Sequence, residues 1–397
     1  MANTILTPDM ILREALRVLH QKSNFIGNIT REYDSSFAKS GAKIGDTLRV
    51  RLPNEFTVRT GAALSAQDVT ESSVSLQVAT QKGVDVNFTS AELTMSLDDF
   101  SKRIITPAMS VLAANVEADA LSMYKDVPNI VDDDGAAVSF LSFLKGRRTL
   151  NERLAPDDGE RIALLQPVHN VKLVDALKGL FNSQEAIAKQ YREGKMGKTA
   201  NLNFYENTLL TYHTTGTAAK TTGYLSNGAT QSGATIAVDT GTTTFKKGDI
   251  ITFAGVNAVH PESKADLGYL KTFALTADYA GGAGNISITP SLTATGAKQN
   301  ASSTIADNSA IVKVGAAASE LLNTSMVFHP QAFAFATADL VMPDGVDFAA
   351  RKAIDGISMR IVRQYDINND KFPCRIDILY GYKTIRPELA CRVHADA

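Results

Sequence analysis

Pro107 constrains this chain more than any other residue, because it fixes where the longest helical pattern begins. Thr106 is placed to accept a backbone N–H as an N-cap, and proline at the first helical position loses nothing, since that N–H has no partner anyway. From there Ala108, Val111, Leu112, Asn115, Val116, Asp119 and Met123 recur at spacings of three and four. Val111, Leu112, Val116 and Met123 make the predicted apolar stripe, with Glu117, Asp119 and Lys125 off it or at its edge. Pro128 marks the stop, and Leu97 to Ile105 form a short lead-in. The pattern predicts a helix of about 20 residues, about 30 Å long. A strut of that length crosses a domain, and the rest of the chain is expected to hang from it.

A chain of 397 residues suits two or three domains and buries a substantial core. With 44% hydrophobic and 21% charged residues the composition is globular. Forty basic residues against 42 acidic ones leave a formal charge of -2 with no Lys/Arg cluster, which disfavours direct nucleic-acid binding. Cys374 and Cys391 lack CxxC spacing and are too few for a secreted disulfide framework, so two reduced cysteines in a strand-rich region are expected. Asp9, Arg13 and Glu14 interrupt any signal peptide, and no apolar run approaches the roughly 20 residues that span a bilayer. Synthesis in a cytoplasm, with no membrane partner, follows as the expectation.

Taken in order, Thr7, Pro8 and Asp9 start an amphipathic helix with Ile11, Leu12, Ala15, Leu16 and Leu19 on one face. Leu48, Val50 and Leu52 alternate with Thr47, Arg49 and Arg51, a strand with one buried and one wet face. The next alternating run, Val74, Leu76 and Val78, comes some twenty residues later; Asn54 to Ser73 between them is polar, with little to pack. A loop that long marks a functional projection or disorder, and an ordered one would find its missing partner on another chain. Val84, Val86 and Phe88 form a third strand leading back to the long helix.

Beyond the helix, Asp132, Asp133, Asp134 and Gly135 read as a turn, followed by helices over about Val138 to Arg153, Val171 to Leu180 and Ser183 to Arg192. A short buried strand is expected at Arg161 to Leu165. From about Thr211 to Gly315 the chain turns rich in Thr, Ala, Gly and Ser, with short strands such as Thr235–Val238, Ile250–Phe253, Thr272–Leu275 and Ile286–Thr289. Such a pattern suggests a small barrel or sandwich inserted into a host fold, its two ends close in space. The host resumes at Met326, and Ile357, Met359, Ile361 and Val362 face Ile376, Ile378 and Tyr380 in a long antiparallel hairpin.

The chemical motifs fail one by one. Gly197-Lys198-Thr199 resembles the end of a phosphate loop, but Arg192 stands where its first glycine belongs. Asp366, Asn368, Asp370 and Asp377 fall at calcium-loop positions, but Lys371 replaces the glycine of the sharp turn, leaving a polar hairpin turn. His20, His169, His213, His260, His329 and His394 have no ligand spacing, and Asp132 to Asp134 are at most a weak surface cation site. No nucleophile elbow or dinucleotide fingerprint is present. The residues predict no enzyme, no cofactor and no metal.

Four segments, in their order, resemble a tailed-bacteriophage major capsid (coat) protein of the Johnson fold. They are Leu97-Asp98-Asp99-Phe100 through Ala113 with the spine helix after it, Leu164-Leu165-Gln166-Pro167, Gly194 with Met196-Gly197-Lys198 and Leu202-Asn203-Phe204-Tyr205-Glu206-Asn207, and Tyr380-Gly381-Tyr382-Lys383 with Ile385-Arg386-Pro387-Glu388. In the third, Asn203 and Asn207 stand where glycine and serine are typical. The run Phe245-Lys246-Lys247-Gly248-Asp249-Ile250 through Val256 is similar to the core strand of the insertion domain in coats of short-tailed phages related to the Salmonella podovirus.

The resemblance implies an α+β chain: an N-terminal arm (1–40), an extended loop with peripheral strands (41–90), the spine helix (91–128), a first axial part (129–212), an inserted β domain (213–318), and the axial return with peripheral sheet (319–397). It implies self-assembly as pentamers and hexamers into an icosahedral shell around double-stranded DNA that is enclosed without sequence-specific binding. Scaffolding and portal proteins would be partners, and the virion the final location. It also implies that Gly41 to Asn87 laps over a neighbouring subunit, making Arg49, Arg51, Glu55, Arg59 and Glu71 the candidates for intersubunit ion pairs. The alternatives are a phage tail or adhesin protein, which calls for fibrous repeats or trimerising heptads that are not in the sequence, and a bacterial nanocompartment shell, against which the inserted domain argues.

Overall fold

In the computed structural model the described residues are 8–34, 47–59, 61–64, 66–68, 71–89, 106–177, 197–354, 356–369 and 371–396. The lead-in to the long helix and the helix expected at Ser183 to Arg192 lie outside them. The chain forms two compact units, and both mix helices with sheets, an α+β fold.

The first unit comprises Met1–Arg51, Ser73–Leu121 and Phe333–Ile385. Its centre is the 14-residue strand Lys371–Thr384. One edge of that strand pairs along ten residues with Thr80–Thr89, and the other pairs with Ile357–Arg363 and with Phe333–Ala338. Phe348–Ile354 and Thr30–Asp34 complete the sheet, the latter parallel to Phe333–Ala338. The expected hairpin is present, with Ile361 opposite Ile376 and Arg360 opposite Asp377. At its tip Asp366 accepts from the Asn368 N–H (3.0 Å) and Asn369 Nδ2 (2.7 Å), and Asp377 is buried between Arg360 (2.7 Å) and Arg375 (2.9 Å). Of the calcium-loop residues, Asp366 and Asn368 are spent on the turn and Asp377 on an ion-pair triad, while Asp370 lies outside the described residues.

Gly381 is required by proximity. A β-carbon there would lie 2.1 Å from the carbonyl oxygen of Gln77, where the two-stranded ribbon Thr47–Arg51/Ser73–Gln77 passes over the sheet.

The long helix departs from expectation in length and in face. Its α portion is Thr106–Leu121, and the chain continues as a 3-10 helix over Ser122–Asp126. Pro128 explains the change, since the residue before a proline is pushed out of the α region and the last turn tightens to an i to i+3 bond, Val127 N–H to Tyr124 O at 3.1 Å. Val111, placed on the apolar stripe by its spacing, is 60% exposed, whereas Leu112, Val116 and Met123 of that stripe are buried, together with Met109, Ala113, Ala120 and Leu121. Glu117, placed off the stripe, is fully buried. Its Oε1 accepts the Phe25 N–H at 2.8 Å, capping the short 3-10 turn Ile26–Asn28 that follows the amphipathic helix Pro8–Lys22. Asp119 accepts from the Tyr380 hydroxyl and pairs with Lys82 at 2.6 Å, tying the helix to the sheet. Burial, with Asp119 adding to it, pushes the Tyr380 phenol up.

The second unit comprises Leu52–Ser72, Ser122–Ala332 and Arg386–Ala397. Its sheet runs in the order Ile130–Ala137, Ala390–Asp396, Leu321–Phe328, Ile162–Leu165, Leu202–Glu206, Lys198–Thr199. Asp132 and its neighbours are strand here, not turn. They pair parallel to Ala390–Asp396 across a register shift, and Asp133 is turned to Lys145 (2.9 Å) and to the Ser142 hydroxyl at the start of the helix Phe140–Glu152. Gly197 precedes a strand rather than a helix, so no phosphate cradle forms. Helix Pro167–Leu177 follows the buried strand Ile162–Leu165. Cys374 in the first unit and Cys391 in this one are buried and unpaired, and burial pushes each thiol up to about 12.

The Thr- and Gly-rich region closes into a six-stranded barrel in the order Thr221–Ser226, Gly233–Asp239, Gly284–Leu292, Asp266–Leu275, Ile250–Val259, Ala310–Lys313. The strands run well beyond the short alternating runs legible in the sequence. Closure leaves no open edge, and inward side chains fill the interior: Tyr224, Ile236, Phe245, Phe253, Phe273 and Ile286 among them, with Phe253 and Phe273 edge to face at 5.5 Å. Its entry and exit are bonded to each other, Thr214 opposite Leu321 and His213 opposite Leu322, with Thr215 N–H to Glu320 O at 2.9 Å.

Candidate functional site

Two places stand apart from ordinary packing. The first is the segment Leu52–Ser72. Leu52 N–H still bonds to Ser72 O (2.8 Å), but beyond that point no ladder continues among the described residues. Gln67 replaces it: its side chain accepts the Thr57 N–H at 2.9 Å and donates to Thr57 O at 2.5 Å, bracketing the two limbs. A groove of about 320 Å³ separates this segment from the barrel loop at Thr295, Ala297 and Lys298.

Of the charged candidates, Arg49 and Arg51 lie on the exposed face of the ribbon, opposite Ser75 and Ser73. Glu55 is 4.0 Å from Lys264 of the barrel, whose ammonium also donates to Ala297 O at 2.6 Å. Arg59 donates to Gly61 O, and Glu71 is exposed. The same segment also carries exposed apolar side chains that charge does not point to. Val58 is 97% exposed, Leu64 87% and Phe56 57%. Single aliphatic residues in an otherwise polar stretch were the available signal.

The second place is where the barrel meets the rest of its unit, and it is polar. Asp249 is buried and accepts three hydrogen bonds, from His213 Nε2 (2.9 Å), the Gly216 N–H (3.0 Å) and the Lys246 N–H (2.9 Å). With its Nε2 proton directed at Asp249, His213 accepts at Nδ1 from the Tyr124 hydroxyl (3.3 Å). The His394 ring stacks on His213 at 6.2 Å. Arg392, fully buried, donates to Gly248 O at 2.8 Å and lies over the Tyr124 ring. Burial pulls its guanidinium down to about 10, and burial likewise lowers His213, with the Asp249 hydrogen bond opposing. Two further links flank the cluster, Tyr269 OH to Glu152 at 2.8 Å and Arg153 Nη1 to Val259 O at 3.2 Å. Among the described residues no group of His, Cys, Asp and Glu is arranged to hold a metal, and no helix is long and apolar enough to cross a membrane.

A family model described as P22 coat protein, gene protein 5, matches residues 26–392. No curated protein matches the chain. Solved structures similar to it include the capsid of the cyanophage P-SCSP1u (11% identity, 93% of this chain and 86% of that one, TM-score 0.45). Others are the mature capsid of bacteriophage PhiM1 (13%, 94% and 86%, 0.44) and a virus-like particle from Pyrococcus furiosus (8%, 97% and 98%, 0.40).

Proposed function

This chain belongs to the P22 coat protein family, and from that premise we propose that pentamers and hexamers of it close, with scaffolding and portal proteins, around packaged double-stranded DNA. The chain is a major capsid protein, a structural and non-enzymatic subunit of an icosahedral shell. The observation that carries the reading is the family match, which spans nearly the whole chain. Synthesis in the host cytoplasm belongs to the same proposal.

Within that frame the units take the roles of a Johnson-type capsid subunit. The helix Thr106–Leu121 is the spine, the sheet around Lys371–Thr384 is the peripheral domain, and the sheet around Leu321–Phe328 is the axial domain. The closed barrel is the inserted domain, serving monomer folding and capsomer contacts; its bonded entry and exit support that reading. Deleting Thr215 to Gly315 is expected to cost both soluble monomer and shells, and the loss of neither would overturn both roles.

The projecting segment laps over an adjacent subunit. Val58 and Leu64 supply the apolar contact, and Arg49, Arg51, Glu55, Arg59 and Glu71 surround it as partners for charges on the neighbour. Exposed pairs contribute little each, so the charges set register more than affinity. Charge reversal at Arg59 that leaves assembly untouched would remove it from the set.

Negative-stain microscopy of the purified chain, alone and co-expressed with its neighbouring genes, tests the whole reading. Closed shells or procapsid-like particles are expected. Small discrete oligomers in both preparations would refute it.

A further inference from the structure

The polar seam between barrel and sheet holds two stacked imidazoles beside a buried guanidinium, an arrangement that tolerates no further positive charge. We propose that this seam is an acid-sensitive hinge: protonation of His394, packed against His213 and Arg392, releases the barrel from the remainder of its unit while the barrel itself stays folded.

The geometry separates the two histidines. His213 faces a carboxylate, Asp249, and a protonated His213 would remain paired with it. His394 has no such recourse. Neither of its ring nitrogens has a hydrogen-bond partner among the described residues, and it is buried. Burial, then Arg392, His213 and His169, all act against its protonation and hold it well below the ordinary imidazole value. The other charges at this end are already engaged. Asp126 acts on Arg392, and Asp132, Glu320 and Asp249 act on Lys313, whose ammonium donates to Ala317 O (2.7 Å) and Thr215 Oγ1 (3.1 Å). From the 3-10 turn, Lys125 opposes a charge on His213 and Tyr124 offers only a hydroxyl.

The sign follows. Both imidazoles are depressed in the folded state, so the unfolded or opened chain binds more protons below the ordinary value of 6.5. The seam is at full strength above that pH and weakens progressively as the pH falls towards the depressed values. The barrel's core cluster is apolar and its one histidine, His260, sits in the turn after Ile250–Val259, so the imidazole proton load leaves the core intact, while the cost of charging Lys271 is already nearly complete at pH 7.

Hydrogen exchange on the soluble full-length monomer, corrected for the intrinsic pH dependence of exchange, reads the two regions separately. Between pH 7.5 and 5, peptides covering residues 213–217, 246–249 and 390–394 are expected to lose protection by about tenfold or more. Peptides covering 250–253, 272–275 and 285–289 are expected to hold theirs. His394→Gln should flatten the seam response; an unchanged acid response in that variant would overturn the proposal. So would a seam that stays protected to pH 5, or a barrel that opens in step with it. A second readout needs no variant. In wild-type monomer carrying labelled histidines, the His394 ring should titrate with the same midpoint as the exchange, and a ring that stays neutral through the opening would overturn the assignment.

Discussion

Lys271 is a buried lysine in the barrel, and its replacement by methionine should stabilise the protein. The side chain lies on the strand Asp266–Leu275, is 4% exposed, and is pulled down to about 7 by burial, with Arg153 adding to the shift and Glu388 opposing it. The ordinary value is 10.5, so the folded state disfavours the charged amine by three to four pH units, about 5 kcal/mol at 1.36 kcal/mol per unit. A depressed lysine means that the unfolded chain holds more protons between pH 7 and 10.5. Stability attributable to this group therefore rises with pH across that window, and the full cost stands below it. Methionine keeps the length of the stem and removes the charge. The expected advantage of Lys271→Met is about 4 kcal/mol at pH 7, shrinking by about 1 kcal/mol per unit to about 2 kcal/mol at pH 9. Urea unfolding of full-length monomer at pH 7, 8 and 9, followed by tyrosine emission because the chain has no tryptophan, measures the difference directly. A methionine variant that is less stable at pH 7, or whose advantage is flat from pH 7 to 9, would refute the reasoning.

Three further outcomes follow from the geometry. Gly381→Ala drives a methyl group against the Gln77 carbonyl and should cost about 2–3 kcal/mol, seen as a lowered midpoint or loss of soluble monomer. Glu117→Ala strips the buried cap from the Phe25 N–H and should cost about 1–3 kcal/mol, with Glu117→Gln recovering much of it, both measurable by thermal unfolding. Val58→Asp and Leu64→Asp should leave monomer stability within about 0.5 kcal/mol yet sharply reduce shell yield in an assembly assay, since both side chains are exposed in the single chain.

Much of this was legible wherever the signal is local. Alternation at Val74, Leu76 and Val78 marks a strand because its period is fixed by the pleat, and the barrel strands announce themselves the same way at Ile250–Phe253 and Ile286–Thr289. What escaped depends on partners far away in sequence. Glu117 reads as a solvent-facing charge because the N–H it caps lies at Phe25, 92 residues earlier. Asp132 to Gly135 carry turn chemistry, but pairing with the C-terminal strand overrides it. The seam draws His213, Asp249, Arg392 and His394 from distant stretches, so no spacing rule could have assembled them. In the segment Leu52–Ser72, attention to charge passes over Phe56, Val58 and Leu64, whose exposure only the structure shows.

The short bridge between His213–Thr214 and Leu321–Leu322 also sets an order of events. The strand Leu321–Phe328 must find Ile162–Leu165 across a long span of chain, a slow search when the intervening residues are unstructured. The barrel pairs only with itself over Thr221–Lys313 and emerges from the ribosome before Leu321 does. Once closed, it delivers its two ends side by side, and a loop of about a hundred residues becomes, for the sheet, a hairpin a few residues long. On this view the barrel is a built-in tether that shortens the search, and variants that slow its closure should delay the sheet even when the sheet's own residues are untouched.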